Sequence, residues 1–328
     1  MLSLNDVISL TYTPDLTGAG IAYAFQALPD IAAVSRPEFF QNIRWIVIEQ
    51  AAELAFRRHL ITGKVPHQLV SNSQFASAAR ACVRIGGRIC DVKSSALFQR
   101  SKIRRLRQNP ASLLSTLTLI SREALATEQR NDTDLLVFSF VTALVAGNLS
   151  ASKQAASAGL PISLVYPLPA NWSGRSAWSH LGQLVMKSET AQPLHLTLVG
   201  QAEDRSPLCE EVLLPPGLKF EGVNKYHALT YLRLEELPSG RLGIRSPGLQ
   251  KTLLVSPFHW GNVWVYGMQI YLAGWMTRAE YSCSASLHTP VHNAWQPAPP
   301  GTKYMALPVA ELHPLEELFL RARQWADG

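Results

Sequence analysis

An acid and a lysine two positions apart, Asp91-Val92-Lys93, are the residues of this chain best suited to chemistry. A carboxylate is a hard oxygen ligand suited to Mg²⁺ or Mn²⁺. An ammonium beside it can hold a water, a phosphate oxygen, or both. Side chains two apart on a β-strand share a face, so the pair projects together if this segment is extended. Its neighbourhood predicts that it is. Gly86-Gly87 suits the two-residue loop of a tight hairpin, which needs positive φ at both central positions. The flanks, Cys82-Val83-Arg84-Ile85 and Arg88-Ile89-Cys90-Asp91-Val92, alternate or carry β-branched residues. A turn at Gly86-Gly87 sets the register: Ile85 faces Arg88, Arg84 faces Ile89, Val83 faces Cys90, and Cys82 faces Asp91.

The elements around the hairpin supply further candidates. Glu38 to Leu60 has apolar residues at helical spacing, including Phe39, Phe40, Ile43, Ile46, Val47, Ala51, Leu54 and Ala55. Glu49 and Glu53, four apart, form one stripe of that helix, which Arg57 extends. They are either a solvated i,i+4 ladder or a helix carboxylate serving the hairpin, with Glu53 the first choice. After the hairpin, Arg100-Ser-Lys102-Ile-Arg104-Arg105-Leu-Arg107 packs five cations into eight residues before Asn109-Pro110 breaks the segment. Residues 57 to 107 carry twelve cations and one acid, Asp91, a local net charge of +11 against +6 for the whole chain. The rest of the chain is therefore net acidic. A local basic surface beside a candidate metal site points to phosphate, with Arg100, Lys102, Arg104 and Arg105 as the contacts.

Helix, strand, hairpin with Asp-x-Lys on its second strand, basic helix and apolar strand: this order, over residues 38 to 167, resembles the core of the PD-(D/E)XK nuclease superfamily. The resemblance implies a restriction-endonuclease-like fold and a Mg²⁺- or Mn²⁺-dependent phosphodiester hydrolase acting on DNA in restriction, repair or transposition. It implies that Asp91 and Glu53 hold the metal, that Lys93 orients the attacking water or neutralises the phosphate, and that Glu49 is an alternative to Glu53. The superfamily's first acidic ligand lies on the strand before Asp-x-Lys, where this chain has Cys82, and no Asp or Glu occurs from Leu54 to Cys90. A thiol is a poor Mg²⁺ ligand. Either the missing acid comes from Glu49, Glu53, Asp132 or Asp134, or metal binding is impaired. An alternative expectation is thus an inactive nucleic-acid-binding subunit of a larger nucleoprotein assembly, or a homodimer. Another is an α/β protein-interaction module without nucleic acid.

Composition bounds these expectations. The chain has 328 residues, 47% of them hydrophobic and 16% charged, enough for a filled core of one large domain or two. Four scattered cysteines make no disulfide framework. The N-terminus shows no basic stretch of a signal peptide, and a reduced, cytoplasmic protein is expected. Cys283, His288 and His292 lie close together, but Pro290 rules out a helical His pair. P-loop, dinucleotide and G-x-S-x-G fingerprints are absent. Pro14 to Gly20 suggests a turn, and Ile21 to Leu28 a short helix ending before Pro29. Leu135 to Leu144 reads as a central apolar strand. With a helix at Ala151–Ala158 and a strand at Pro161–Tyr166, it predicts a strand–helix–strand unit in one mixed sheet. From about Pro169 short strand-like segments alternate with Pro/Gly turns, and a helix from Pro314 ends the chain. The expected fold is α/β (α+β): a mixed sheet flanked by helices, with a β-rich C-terminal domain or extension. The segments are 1–37, an N-terminal extension; 38–168, the nuclease-like core; and 169–328, the β-rich part.

Overall fold

The computed structural model describes residues 2–31, 36–71, 81–127, 131–173, 180–288 and 302–327. The fold is mixed α/β, with a mixed six-stranded sheet and an antiparallel β-rich sheet in the later half. The chain forms two compact units. The first comprises Met1–Gln26, Trp45–Leu144 and Val265–Gly328, the second Ala27–Arg44 and Val145–Trp264. These units cut across the contiguous segments drawn from the sequence.

β1 (Ile8–Leu10) precedes α1 (Pro14–Ile31) and α2 (Arg36–Thr62). The expected turn at Pro14 is instead the start of α1, because proline at the first helical position loses no needed N–H. The helix also continues past Pro29. Gly20 is required by packing: a Cβ there would lie 2.6 Å from the carbonyl oxygen of Val47 on α2. β2 (Gln68–Ser71), β3 (Ala81–Ile85) and β4 (Arg88–Leu97) follow, with residues 72–80 outside the described ones. α3 (Arg100–Gln108) stops at Asn109-Pro110. Then come β5 (Leu117–Ser121), α4 (Arg122–Thr127), β6 (Leu135–Val145) and α5 (Leu149–Ser157). Asn148 caps α5, its side chain accepting from the Ala151 N–H at 2.8 Å.

The later strands are β7 (Leu164–Pro167), β8 (Gly182–Ser188), β9 (Leu194–Ala202), β10 (Pro207–Leu214), β11 (Lys219–Leu234), β12 (Leu242–Ser246), β13 (Lys251–Val255), β14 (Gly261–Asn262) and β15 (Val265–Thr277). α6 (Arg278–Ser284), β16 (Ser286–His288), β17 (Tyr304–Pro308) and α7 (Leu315–Asp327) complete the chain.

In the first unit the six-stranded sheet runs β1-β15-β6-β4-β3-β2. β2, β3 and β4 form an antiparallel meander, and β4 pairs in parallel with β6. Nine consecutive residues of β6, Leu135 to Ala143, are buried, as an interior strand covered on both sides requires. A three-stranded sheet, β16-β17-β5, shares a core cluster with it. Leu136, Phe138 and Phe140 of β6 meet Leu106 of α3, Ile120 of β5, Tyr281 of α6 and Leu307 of β17. The Phe138 and Tyr281 rings stack at 5.2 Å, and Tyr281 donates its hydroxyl proton to the Met305 carbonyl at 2.9 Å.

In the second unit an eight-stranded sheet has the path β10-β9-β11-β8-β12-β13, with β7 on β11 and β14 on β7. This corrects the expected strand–helix–strand unit: β6 and β7, which flank α5, belong to different sheets. The β-rich half expected from the sequence is this sheet, including β8 and β10, which no distinctive sequence signal announced. Asn262 fixes β14: its Oδ1 accepts the Ser163 N–H at 3.1 Å, and its carbonyl accepts from Arg44 Nη2 at 2.5 Å.

Candidate functional site: the β3–β4 hairpin and the basic helix

The hairpin turns at Gly86-Gly87, with φ of 56° and 77°. The observed pairs are Ile85–Arg88, Arg84–Ile89 and Val83–Cys90, the register that the turn predicts. The paired ladder ends at Val83–Cys90, so the expected Cys82–Asp91 pair is not among the observed ones. On its other side Cys82 pairs with Val70 of β2.

Asp91 and Lys93 do share a face. Lys93 Nζ lies 2.7 Å from Asp91 Oδ2, and each side chain is 22% exposed. In the parallel ladder Asp91 pairs with Leu136 and Lys93 with Phe138. Directly paired residues project to one side of a sheet, so the two charges lie on the side that carries the apolar cluster of Leu136, Phe138 and Phe140. Low local polarity strengthens the attraction between them.

α3 packs on that same side. Its buried residues are Ile103 and Leu106, and Leu106 belongs to the cluster around Phe138. With about 100° per residue, the opposite side of the helix displays Arg104 and Arg105, and Arg100 stands on one flank. These three are exposed and Lys102, on the flank, is half-buried. Among the described residues none of the four makes an ion pair. Arg107 differs: its Nε donates to Gln269 Oε1 of β15 at 3.0 Å. The same oxygen accepts from Thr142 and Tyr271, both at 3.4 Å. Gln269 thus ties the end of α3 to the sheet, a role no local sequence signal reveals.

The helix glutamates occupy α2. Glu49 Oε1 accepts from Trp45 Nε1 at 3.0 Å, and Glu53 is half-buried one turn further on. Asp134 is buried, and both its oxygens serve backbone groups: Oδ1 accepts the Ile89 N–H at 3.0 Å and Oδ2 the Asn131 N–H at 2.9 Å. It clamps β4 to the start of β6, a structural task. Asp132 is exposed. Among the described residues no three His, Cys, Asp or Glu side chains gather in a group that could hold a metal. Asp91, Glu49 and Glu53 therefore do not form a three-carboxylate centre. Cys90 is buried, Cys209 and Cys283 are exposed free thiols, and His292 lies outside the described residues.

The turn itself is held by a residue that sequence patterns did not single out. Trp325 of α7 covers Gly86, where a Cβ would lie 2.2 Å from the indole Cε3. The Arg88 guanidinium sits 4.4 Å from the centre of the same ring.

Compared with protein-family models, with curated proteins and with solved structures, the chain matches none. Among the described residues no helix is long and apolar enough to cross a membrane.

Proposed function

We propose that this chain is a nucleic-acid-binding protein with a nuclease-like core, which grips the phosphate backbone of DNA through α3 and cleaves it weakly or not at all. The observation that carries this reading is the placement of α3. Leu106 anchors the helix on the side of the sheet that bears Asp91 and Lys93, so unneutralised cations and the acid–lysine pair belong to one side of one sheet. The strand order β2-β3-β4-β6, antiparallel then parallel, supports the resemblance to the PD-(D/E)XK core.

Impaired cleavage is supported by the ligand set. A divalent ion on this scaffold needs several hard oxygen ligands. Asp91 supplies one carboxylate, already engaged by Lys93, and Cys82, which the hairpin register directs towards it, adds no hard oxygen ligand. The described residues make no three-ligand group that would hold Mg²⁺ or Mn²⁺. What these residues can do is bind: α3 and Lys93 offer positive charge, and the Asp91 carboxylate holds Lys93 in place.

The test measures binding and cleavage together. Duplex and single-stranded DNA are titrated against the full chain at rising salt, then incubated with Mg²⁺ or Mn²⁺, with Asp91→Ala alongside. Salt-sensitive binding with at most faint nicking is expected. Absence of salt-sensitive binding refutes the nucleic-acid assignment and favours a protein-interaction module. Robust nicking that disappears in Asp91→Ala refutes the impairment.

A further inference from the structure

The outer face of the second unit's sheet carries a feature that the hairpin does not explain. β8 pairs with β11 so that Lys187 stands directly opposite Lys219, and β12 pairs with β8 so that Arg245 stands opposite Val185. Like charges directly opposed on an antiparallel pair destabilise it. All three cations are exposed. Among the described residues none of them has an ion-pair partner. Glu189, the acid nearest in sequence to Lys187, is taken by Arg241, whose Nε and Nη2 donate to it at 2.8 and 3.1 Å. Glu221, opposite Val185, is the remaining acid in the groove.

These residues line a concavity of about 440 Å³, which also takes in Gly243, Pro247 and Leu254. Leu254 is 56% exposed, an apolar side chain left open beside a cluster of cations. Gly243 faces Leu254 on one strand and Lys187 on the other. With no side chain at Gly243, a Leu254 methyl leans over this position, 3.5 Å from where a Cβ would stand, and forms the apolar floor beside the cations. An anionic group beside Lys187, Lys219 and Arg245 and an apolar, flat group over Gly243 and against Leu254 would satisfy both halves of the groove.

We infer that this groove binds a nucleotide, its phosphate between Lys187, Lys219 and Arg245 and its base against Leu254 and Pro247. The chemistry is the same for a free nucleotide and for one unit of a single strand. The inference deepens the nucleic-acid reading without using any residue of the hairpin or of α3.

The test uses the full chain, with adenosine monophosphate, a short oligothymidylate and inorganic phosphate as probes in calorimetric titrations. The triple variant Lys187→Ala, Lys219→Ala, Arg245→Ala is expected to lose at least about tenfold in affinity for the nucleotide-containing probes, and Leu254→Ser is expected to weaken them while leaving phosphate unchanged. Binding of the monophosphate assigns a free nucleotide. Binding of the oligonucleotide alone assigns a strand. Lys219→Glu separates folding from binding: it replaces the Lys–Lys pair with a favourable cross-strand pair, so the melting temperature should hold or rise while binding is lost. Unchanged affinity in the triple variant, or no binding of any probe by the parent chain, overturns the inference. The α3 variants described below should leave monophosphate binding intact, so failure of this groove and failure of the α3 assignment are distinguishable.

Discussion

Replacing Arg100, Lys102, Arg104 and Arg105 together by alanine should flatten the salt dependence of duplex DNA binding by an amount that the geometry of α3 sets. Each phosphate contact contributes roughly 0.9 to the slope of log affinity against log salt on duplex DNA. Arg104 and Arg105 are exposed on the side of α3 away from Ile103 and Leu106, and Arg100 is exposed on its flank. These three contacts predict a loss of about 2.7 in slope. Lys102, half-buried on the flank, brings the upper bound to about 3.6. Arg107 is left in place because it is tied to Gln269. Alanine has the highest helix propensity, so α3 should stay folded with its two anchors untouched. Anisotropy titrations of a labelled duplex over a salt series, for parent and variant, give both slopes, and circular dichroism checks the fold. An unchanged slope in a folded variant would show that α3 is an ordinary solvated surface, and the carrying observation for DNA binding would be gone.

Three further outcomes are expected. Cys82→Asp adds a second carboxylate that the hairpin register directs towards Asp91, and facing Cβ atoms are about 5 Å apart. It should strengthen Mg²⁺ binding in calorimetry and raise plasmid nicking, whereas no gain in a folded protein would favour a pure binding subunit. Gly86→Ala should destabilise the fold by at least about 1 kcal/mol, because a Cβ carries a cost in the left-handed region and would also meet Trp325. Denaturant melts should show a smaller penalty in a Trp325→Ala background; an equal penalty would remove Trp325 from the explanation. The hydrogen bond from Arg58, helped by Thr13, holds the exposed Asp15 carboxyl at a pKa of about 2, below its ordinary 3.8. Its folded-state pKa is depressed, so its contribution to stability is present above the unfolded pKa and is lost as pH falls through about 2. An NMR titration of Asp15 should show that midpoint, and Arg58→Ala should raise it towards the ordinary carboxylate range. A midpoint that does not move would break the assignment to Arg58.

What was legible in the sequence was local. Gly86-Gly87 dictated both the turn and the register, since a two-residue loop leaves the strands no other pairing, and Asp91 and Lys93 were thereby placed on one face. The 3.6-residue period of α2 and the stop at Asn109-Pro110 after α3 were equally plain, because each depends on residues within a turn or two. The Pro14 segment misled for the same reason. A proline followed by glycines looks like a turn locally, yet Gly20 is there so that the backbone of α2 can approach.

The partners of strands far apart in sequence were beyond local signals. β15 enters the first sheet beside β1, pairing Leu10 with Ile270, and so the last part of the chain folds with the first unit. β7, as apolar as β6, pairs with β11 instead of joining β6. An apolar strand states only that it must be buried. Which sheet buries it depends on all the faces that must be covered at once, together with the entropy of closing the intervening loops. The same holds for the candidate sites. The acids and cations could be named from residue type and spacing, but the commitment of Asp134 to backbone N–H groups, the seating of α3 through Leu106, and the meeting of Lys187 with Lys219 were decided only when distant strands and helices packed together.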